Sequence, residues 1–288
     1  MKLVTYESAN GPRLGAVVND QIVDLHTASG GSLPGDMLSL LQGGPGMLAQ
    51  AASVAEGASG QPADQVKLLA PIANPSKIVA IGLNYMDHCI ETNAAVPKQP
   101  LIFTKFTTSI VGPGDAIRWD PALTSQVDYE AELAVVIGRT ASNVSEEEAL
   151  EYVAGYTICH DVSARDLQFG DGQWVRGKSL DTFCPLGPWL VTGEEVADPH
   201  NLGIRCVLNG HTVQDSNTRE LIFNVPTLVA YCSRSFTLLP GDIIITGTPS
   251  GVGVSRKPQL FLKHGDVVTV EIDGLGSLTS PCVEEASA

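Results

Sequence analysis

The sequence predicts an α+β chain that is mainly β: a curled β architecture preceded by a small α+β module. Three observations predict it. Short apolar stretches are many and are separated by Gly/Pro turns. Stretches with helical periodicity are few, so the regular alternation of strand and helix that a doubly wound parallel sheet requires is missing. The composition is that of a globular chain with a substantial core, 43% apolar and 17% charged over 288 residues.

Residues 1–70 form the leading module. Leu3 to Tyr6, Gly15 to Val18 and Ile22 to Leu25 are predicted strands with polar turns between them. Asp36 to Leu41 and Met47 to Ala55 are predicted helices, separated by Gly43-Gly44-Pro45. Residues 57–65 link outward, and a larger unit, 71–288, begins at Pro71. In it Lys77 to Ile81, Leu101 to Thr104, Glu132 to Ile137, Gly155 to His160, Trp189 to Thr192, Ile204 to Leu208, Ile243 to Thr246 and Val267 to Ile272 are predicted strands. Three helices are predicted: Ser145 to Tyr152, with Ser145 and Glu148 as a capping box, Ser163 to Gln168, and Thr227 to Ser235.

The net charge of −15 argues against a nucleic-acid surface and against an anionic membrane surface. An anionic substrate then needs a metal or local cations against the background field. The six cysteines are scattered, with no C-x-x-C pair, and are expected to be reduced core residues. The start carries no apolar secretory h-region and no apolar run reaches membrane length. A cytoplasmic enzyme is the expectation.

Glu130 and Glu132 are the most informative residues. They lie two apart in a predicted strand and so share a face, one that continues as Ala134 and Val136. Two carboxylates beside an apolar face repel each other and resist desolvation, and a hard divalent cation resolves both problems. On spacing alone the pair also fits solvated acids on an edge strand.

Four further segments join the pair. His88 and Glu91, three apart, are neighbours on a helical turn, where a carboxylate can orient an imidazole as a general base. Asp161 ends a strand, either as a third metal carboxylate or as a helix cap. Gly172 to Ser179 matches the phosphate-loop pattern, but two prolines and a glycine soon after Lys178 forbid the helix that motif needs. Lys178 is more credible as a lone cation facing an anionic substrate. Thr246 to Gly253 follows an apolar strand, and its glycines allow an anion-binding nest or a plain turn.

In order and combination these elements resemble the fumarylacetoacetate hydrolase family, in its smaller acylpyruvase-like branch. The matching stretches are 82–91, 128–138, 161–168, 177–188 and 246–253. The resemblance implies a mixed β-roll core and a homodimer. It implies one divalent metal, Mg²⁺ or Mn²⁺ with Ca²⁺ also suited to the ligands, held by Glu130, Glu132 and Asp161. It implies a base dyad of His88 and Glu91 on a segment that folds over the substrate, charge stabilisation by Lys178, and substrate contacts from Gln168 and Thr248. The larger members carry a further metal aspartate ahead of the catalytic histidine, which the sequence near His88 does not clearly show, so their substrate is not carried over.

The expected reaction is hydrolysis of a C–C bond in a 2,4-dioxo acid, an acylpyruvate or a related diketo acid, through a metal-stabilised pyruvate enolate. His88 activates the water. The alternative on the same site is a decarboxylase, tautomerase or isomerase of oxaloacetate or another oxo-dioate, because those reactions pass through related enolates. A non-enzymatic metal-binding module is disfavoured by the complete set of polar residues. Residues 84–99 are expected to be poorly ordered without ligand. Met86, Val96, Phe169 and Trp174 are candidates to bound the pocket for the substrate tail.

Overall fold

A computed structural model describes residues 1–286 of the chain. Two sheets dominate. A 12-stranded sheet runs Gln61–Pro62, Gln21–Asp24, Gly11–Val18, Lys2–Ser8, Cys184–Thr192, Val153–His160, Ala131–Ile137, Ile243–Ile245, Ile78–Gly82, Leu101–Lys105, with two short strands branching from it. A five-stranded sheet runs His211–Asn217, Gly203–Leu208, Val267–Ile272, Gly276–Glu284, Ile117–Trp119. The mainly β expectation is met.

Ala131–Ile137 is a central strand buried along its whole length. Leu133, Val135 and Ile137 pack into one core with Ile204, Val270 and Leu278 of the five-stranded sheet. Ala134 and Val136, on the opposite face, pack with Leu3, Leu40 and Leu41 of the leading segment. Cover on both faces explains why this strand is a continuous apolar run rather than an alternating one. It also rules out the edge-strand reading of Glu132.

Register brings the functional segments together. Ala131 pairs with His160, Ala134 with Ile245, and Ile245 with Ala80. The start of Ala131–Ile137 therefore lies level with the ends of three neighbouring strands. The segments leaving those strands, at Leu83, Asp161 and Thr246, converge at one edge of the sheet.

The first 70 residues do not stand apart. Lys2–Ser8 pairs antiparallel with Cys184–Thr192, so the leading strands extend the large sheet. The helices Met37–Gln42 and Gly44–Glu56 follow one another directly. Gly43 caps the first, and Pro45 sits in the first turn of the second, where its missing N–H costs nothing.

Some elements differ from expectation. The Ser145–Glu148 pair makes half of the capping box, with the Glu148 N–H donating to Ser145 Oγ and that hydroxyl to the Glu148 carboxylate, and only a 3₁₀ turn, Ala149–Tyr152, follows, because the strand Val153–His160 begins at once. Ser163 and Ala164 bridge to Val127 and Asp128, which delays the next helix to Arg165–Asp171. Strands His211–Asn217 and Gly276–Glu284 were not anticipated, since both are rich in polar residues. All six cysteines are free and buried, as expected.

Candidate active site

Glu132 sits on the central strand, Glu130 just before it, and Asp161 just after Val153–His160. The Asp161 N–H donates to the Glu130 carbonyl, which ties the two loops together. Ligand atoms of Glu130, Glu132 and Asp161 all lie within 4.8 Å of one another, and all three residues are buried. The structure thus brings Asp161 to the Glu130–Glu132 pair, the three carboxylates that the resemblance implied.

The three acids are not equivalent. Glu130 faces two cations: Lys178 Nζ donates to its Oε2 at 2.7 Å and Arg165 Nη2 lies 2.7 Å from its Oε1. Burial alone would raise its pKa, but Lys178 and Arg165 outweigh burial and hold it low. Glu132 accepts the Gly247 N–H at 2.7 Å, and among the described residues no cation pairs with it as Lys178 and Arg165 pair with Glu130. Burial first, then the neighbouring Asp161 and Glu130 charges, push its pKa well above the ordinary carboxylate range. A crowded oxygen set with one under-compensated carboxylate suits a hard divalent cation.

Lys178 differs from expectation: it is not a lone cation. Its Nζ donates to both Glu130 and Asp161 at 2.7 Å, while the residue also lines the cavity. The helix that carries it, Val175–Lys178, stops there, so the phosphate-loop match has no following helix. A second buried lysine, Lys105, was missed. Its Nζ donates to Asp161 Oδ1 at 2.6 Å, to the Val162 carbonyl and to the Lys178 carbonyl. These three acceptors use all its protons, so Lys105 holds the framework and Lys178 keeps one proton for a ligand.

His88 lies on the helix Met86–Thr92, with Nδ1 3.0 Å from Glu91 Oε2. Glu91 in turn accepts the Gly251 N–H at 2.8 Å. This assigns the Nδ1–H to Glu91 and leaves Nε2 as the basic nitrogen. The helical segment is anchored rather than loose, because Asp87 accepts from Ser216 Oγ at 2.6 Å and from Ser250. Residues 93–99 follow without helix or strand.

The glycine loop after Ile243–Ile245 is a nest whose anions belong to the protein itself. Its N–H groups go to Glu132 from Gly247, to Glu91 from Gly251, and to Asp128 from Gly253 and Val254. Gly247 has φ +98°, and a Cβ there would meet the Ile81 carbonyl at 3.1 Å, so glycine is required. Asp128 also accepts from Arg165 Nε at 2.8 Å, and Arg165 Nη1 donates to Gln168 at 2.9 Å. Gln214 joins the strand to the loop by accepting from the Ala131 N–H and donating to Thr248 Oγ1 and the Pro249 carbonyl. The sequence analysis gave Asp128, Arg165 and Gln214 no role. Asp128 and Arg165 lie inside motifs it quoted, and the motif context was the available signal.

A cavity of about 300 Å³ is lined by Glu130, Glu132, His88, Lys178, Gln168 and Thr248 together. All the expected site residues line it except Asp161 and Glu91, which lie directly behind Lys178 and His88. Residues 77–283 match the model of the fumarylacetoacetate (FAA) hydrolase C-terminal family. The chain belongs to that family.

Its relatives carry several activities. An oxaloacetate tautomerase from Xenopus laevis is 51% identical over 98% of this chain and 90% of its own length, and one from Rattus norvegicus is 46% identical over 98% and 92%. A solved putative HpcE protein from Mycobacterium smegmatis is 39% identical, with TM-score 0.88 and 99% coverage of both chains. A maleylpyruvate hydrolase from Sphingobium sp. SYK-6, solved with manganese(II) and pyruvate, is 32% identical, with TM-score 0.83 and 99% coverage of both. The family is one of enzymes.

The cytoplasmic expectation is overturned, since the Xenopus and Rattus tautomerases are named mitochondrial. The apolar-leader criterion detects secretion only. Mitochondrial leaders are amphipathic and cationic, so that criterion has no bearing on them.

Proposed function

We propose that the protein is a keto–enol tautomerase of a small 2-oxo dicarboxylate of the oxaloacetate type. The observation that carries this reading is His88, backed by Glu91, lining one cavity with Lys178, Glu130 and Glu132. Glu130, Glu132 and Asp161 would hold a divalent cation such as Mg²⁺ or Mn²⁺, which supplies Lewis-acid polarisation of a carbonyl oxygen.

The chain's own residues then move one proton. His88 Nε2 takes a proton from C3 of the keto acid, and that electron pair forms the C2–C3 double bond. Charge develops on the C2 oxygen, where the remaining Lys178 proton can donate. The proton held on His88 Nε2 is then released to that oxygen by way of solvent, which gives the enol, restores the neutral imidazole and leaves Lys178 an ammonium throughout; the reverse sequence uses the same groups. Glu91, fixed by the Gly251 N–H, keeps His88 in the basic tautomer throughout.

C–C hydrolysis of a 2,4-dioxo acid is the second reading, supported by the maleylpyruvate hydrolase among the solved relatives. It stands second because the tautomerase relative is 51% identical and the hydrolase 32%. The test follows the decay of enol absorbance of oxaloacetate with Mg²⁺ or Mn²⁺, alongside cleavage of acylpyruvates. The proposal expects catalysed decay and a loss of about 10²–10⁴-fold in His88→Ala. Acylpyruvate cleavage with no acceleration of enol decay over buffer would hand the site to the hydrolase reading.

A further inference from the structure

The cavity's cations are gathered at one place. Among the described residues that line it, the permanent cations are Arg165 and Lys178, and both sit 2.7 Å from Glu130 oxygens. The rest of the lining is mostly carbon, from Leu83, Phe103, Phe169, Trp174, Val252 and Val254, and this wall begins beside Lys178, whose Nζ is 5.3 Å from the Phe103 ring centroid. A carboxylate carried beyond reach of Arg165 and Lys178 would lie against carbon without a partner, which is costly for a charged group.

Trp174 is built into this wall. Its ring meets Phe103 edge-on, with centroids 5.3 Å apart. It also lies against the backbone at Gly82, where an added Cβ would come within 2.4 Å of indole Cζ3. Glycine at 82 is therefore what lets the indole seat there, at the last residue of the strand Ile78–Gly82 that leads to His88. A Trp wedged between a glycine backbone and a Phe ring has little freedom to swing away.

We infer that the cavity selects 2-oxo acids whose charges all lie at the anchored end, within reach of Arg165 and Lys178, and that Trp174 limits the length of an uncharged tail. This rests on the proposed anchoring of a 2-oxo acid at the carboxylate cluster. It separates this chain from any enzyme that must hold a carboxylate at the far end of a long dioate.

The test is calorimetric binding to the full chain with Mg²⁺. It uses oxalate as the bare head group, 2-oxohexanoate and 2-oxoadipate as a matched uncharged and charged pair, and 2-oxooctanoate as a longer tail. The expected result is 2-oxohexanoate binding at least ~10-fold tighter than 2-oxoadipate. Trp174→Ala should improve 2-oxooctanoate relative to 2-oxohexanoate by ~10-fold, and Trp174→Arg should narrow or invert the charged–uncharged difference. Gly82→Ala, which displaces the indole, is a second route to the altered tail ratio.

Equal or tighter binding of 2-oxoadipate by the unaltered protein would overturn the charge selection. An unchanged tail ratio in both Trp174→Ala and Gly82→Ala would overturn the role of Trp174. If oxalate itself fails to bind with Mg²⁺, anchoring and tail selection fall together. Oxalate binding without oxaloacetate tautomerisation removes only the proposed reaction and leaves the selectivity standing.

Discussion

Asp24 in the leading segment and Glu132 in the candidate site are both acids on strands of the large sheet, and their surroundings are opposite. Asp24 takes both nitrogens of a two-pronged Arg13 contact at 3.0 Å, the Tyr6 hydroxyl at 2.7 Å and the Thr27 N–H at 2.7 Å. Burial works against its charge, but Arg13 and the Thr27 and Tyr6 donors together hold its carboxyl well below the usual range. The same pairing, with burial first, pushes the Tyr6 phenol up to about 12. Glu132 has one backbone donor and two acids for neighbours. A carboxylate that the fold satisfies supports the fold, whereas one left short of positive charge is poised for something the chain does not supply.

The largest expected effect tests the unsatisfied member. Glu132→Gln should lower the proposed tautomerase activity by about 10³-fold, on the order of 4 kcal/mol of transition-state stabilisation. In chelator its melting temperature should be unchanged or higher, because a repulsive charge has gone. A large fall in melting temperature with activity intact would reverse the comparison.

Asp24→Asn should do the opposite. It should cost about 1–2 kcal/mol of stability, allowing for partial exposure, and leave kcat unchanged. Denaturant melts with parallel kinetics read both quantities. The pH dependence sharpens this. A carboxyl depressed on folding contributes stability above its unfolded pKa, about 3.9, and that contribution is lost as pH falls toward the folded value. The gap between wild-type and Asp24→Asn melting temperatures should therefore be full near neutrality and close on acidification below about pH 4. A gap that widens in acid would contradict the pairing.

The smallest effect concerns the anchor of the dyad helix. Asp87→Ala removes the contacts to Ser216 and Ser250, and the loss in kcat should be about 10-fold with little change in global stability. Hydrogen exchange at Met86–Thr92 should quicken in that variant. Unchanged exchange would mean that the Glu91–Gly251 contact holds the helix without Asp87.

Legibility in the sequence followed locality. Glu130 and Glu132, His88 and Glu91, and the glycine loop were readable because each partner lies within a few residues, inside one turn or one strand. Lys105 was not readable, because it meets Asp161 across 56 positions and a single lysine ending a strand has no pattern. Lys178 was legible as a cation but not as the clamp of Glu130 and Asp161, since that depends on which loops converge. Gln214 lies on an unanticipated polar strand, so nothing local pointed to its link between Ala131 and Thr248.

By itself the sequence determined the mainly β class, the apolar central strand and the kinds of side chain available for chemistry. These follow from period-2 patterning, turn residues and side-chain charge, which act over a few residues. Only the tertiary structure decided which acid stays short of positive charge, which lysine is locked away, and which carbon side chains share the cavity with the two cations. Those depend on distances between strands far apart in the chain, and electrostatic strength in a buried site is set by such distances rather than by composition.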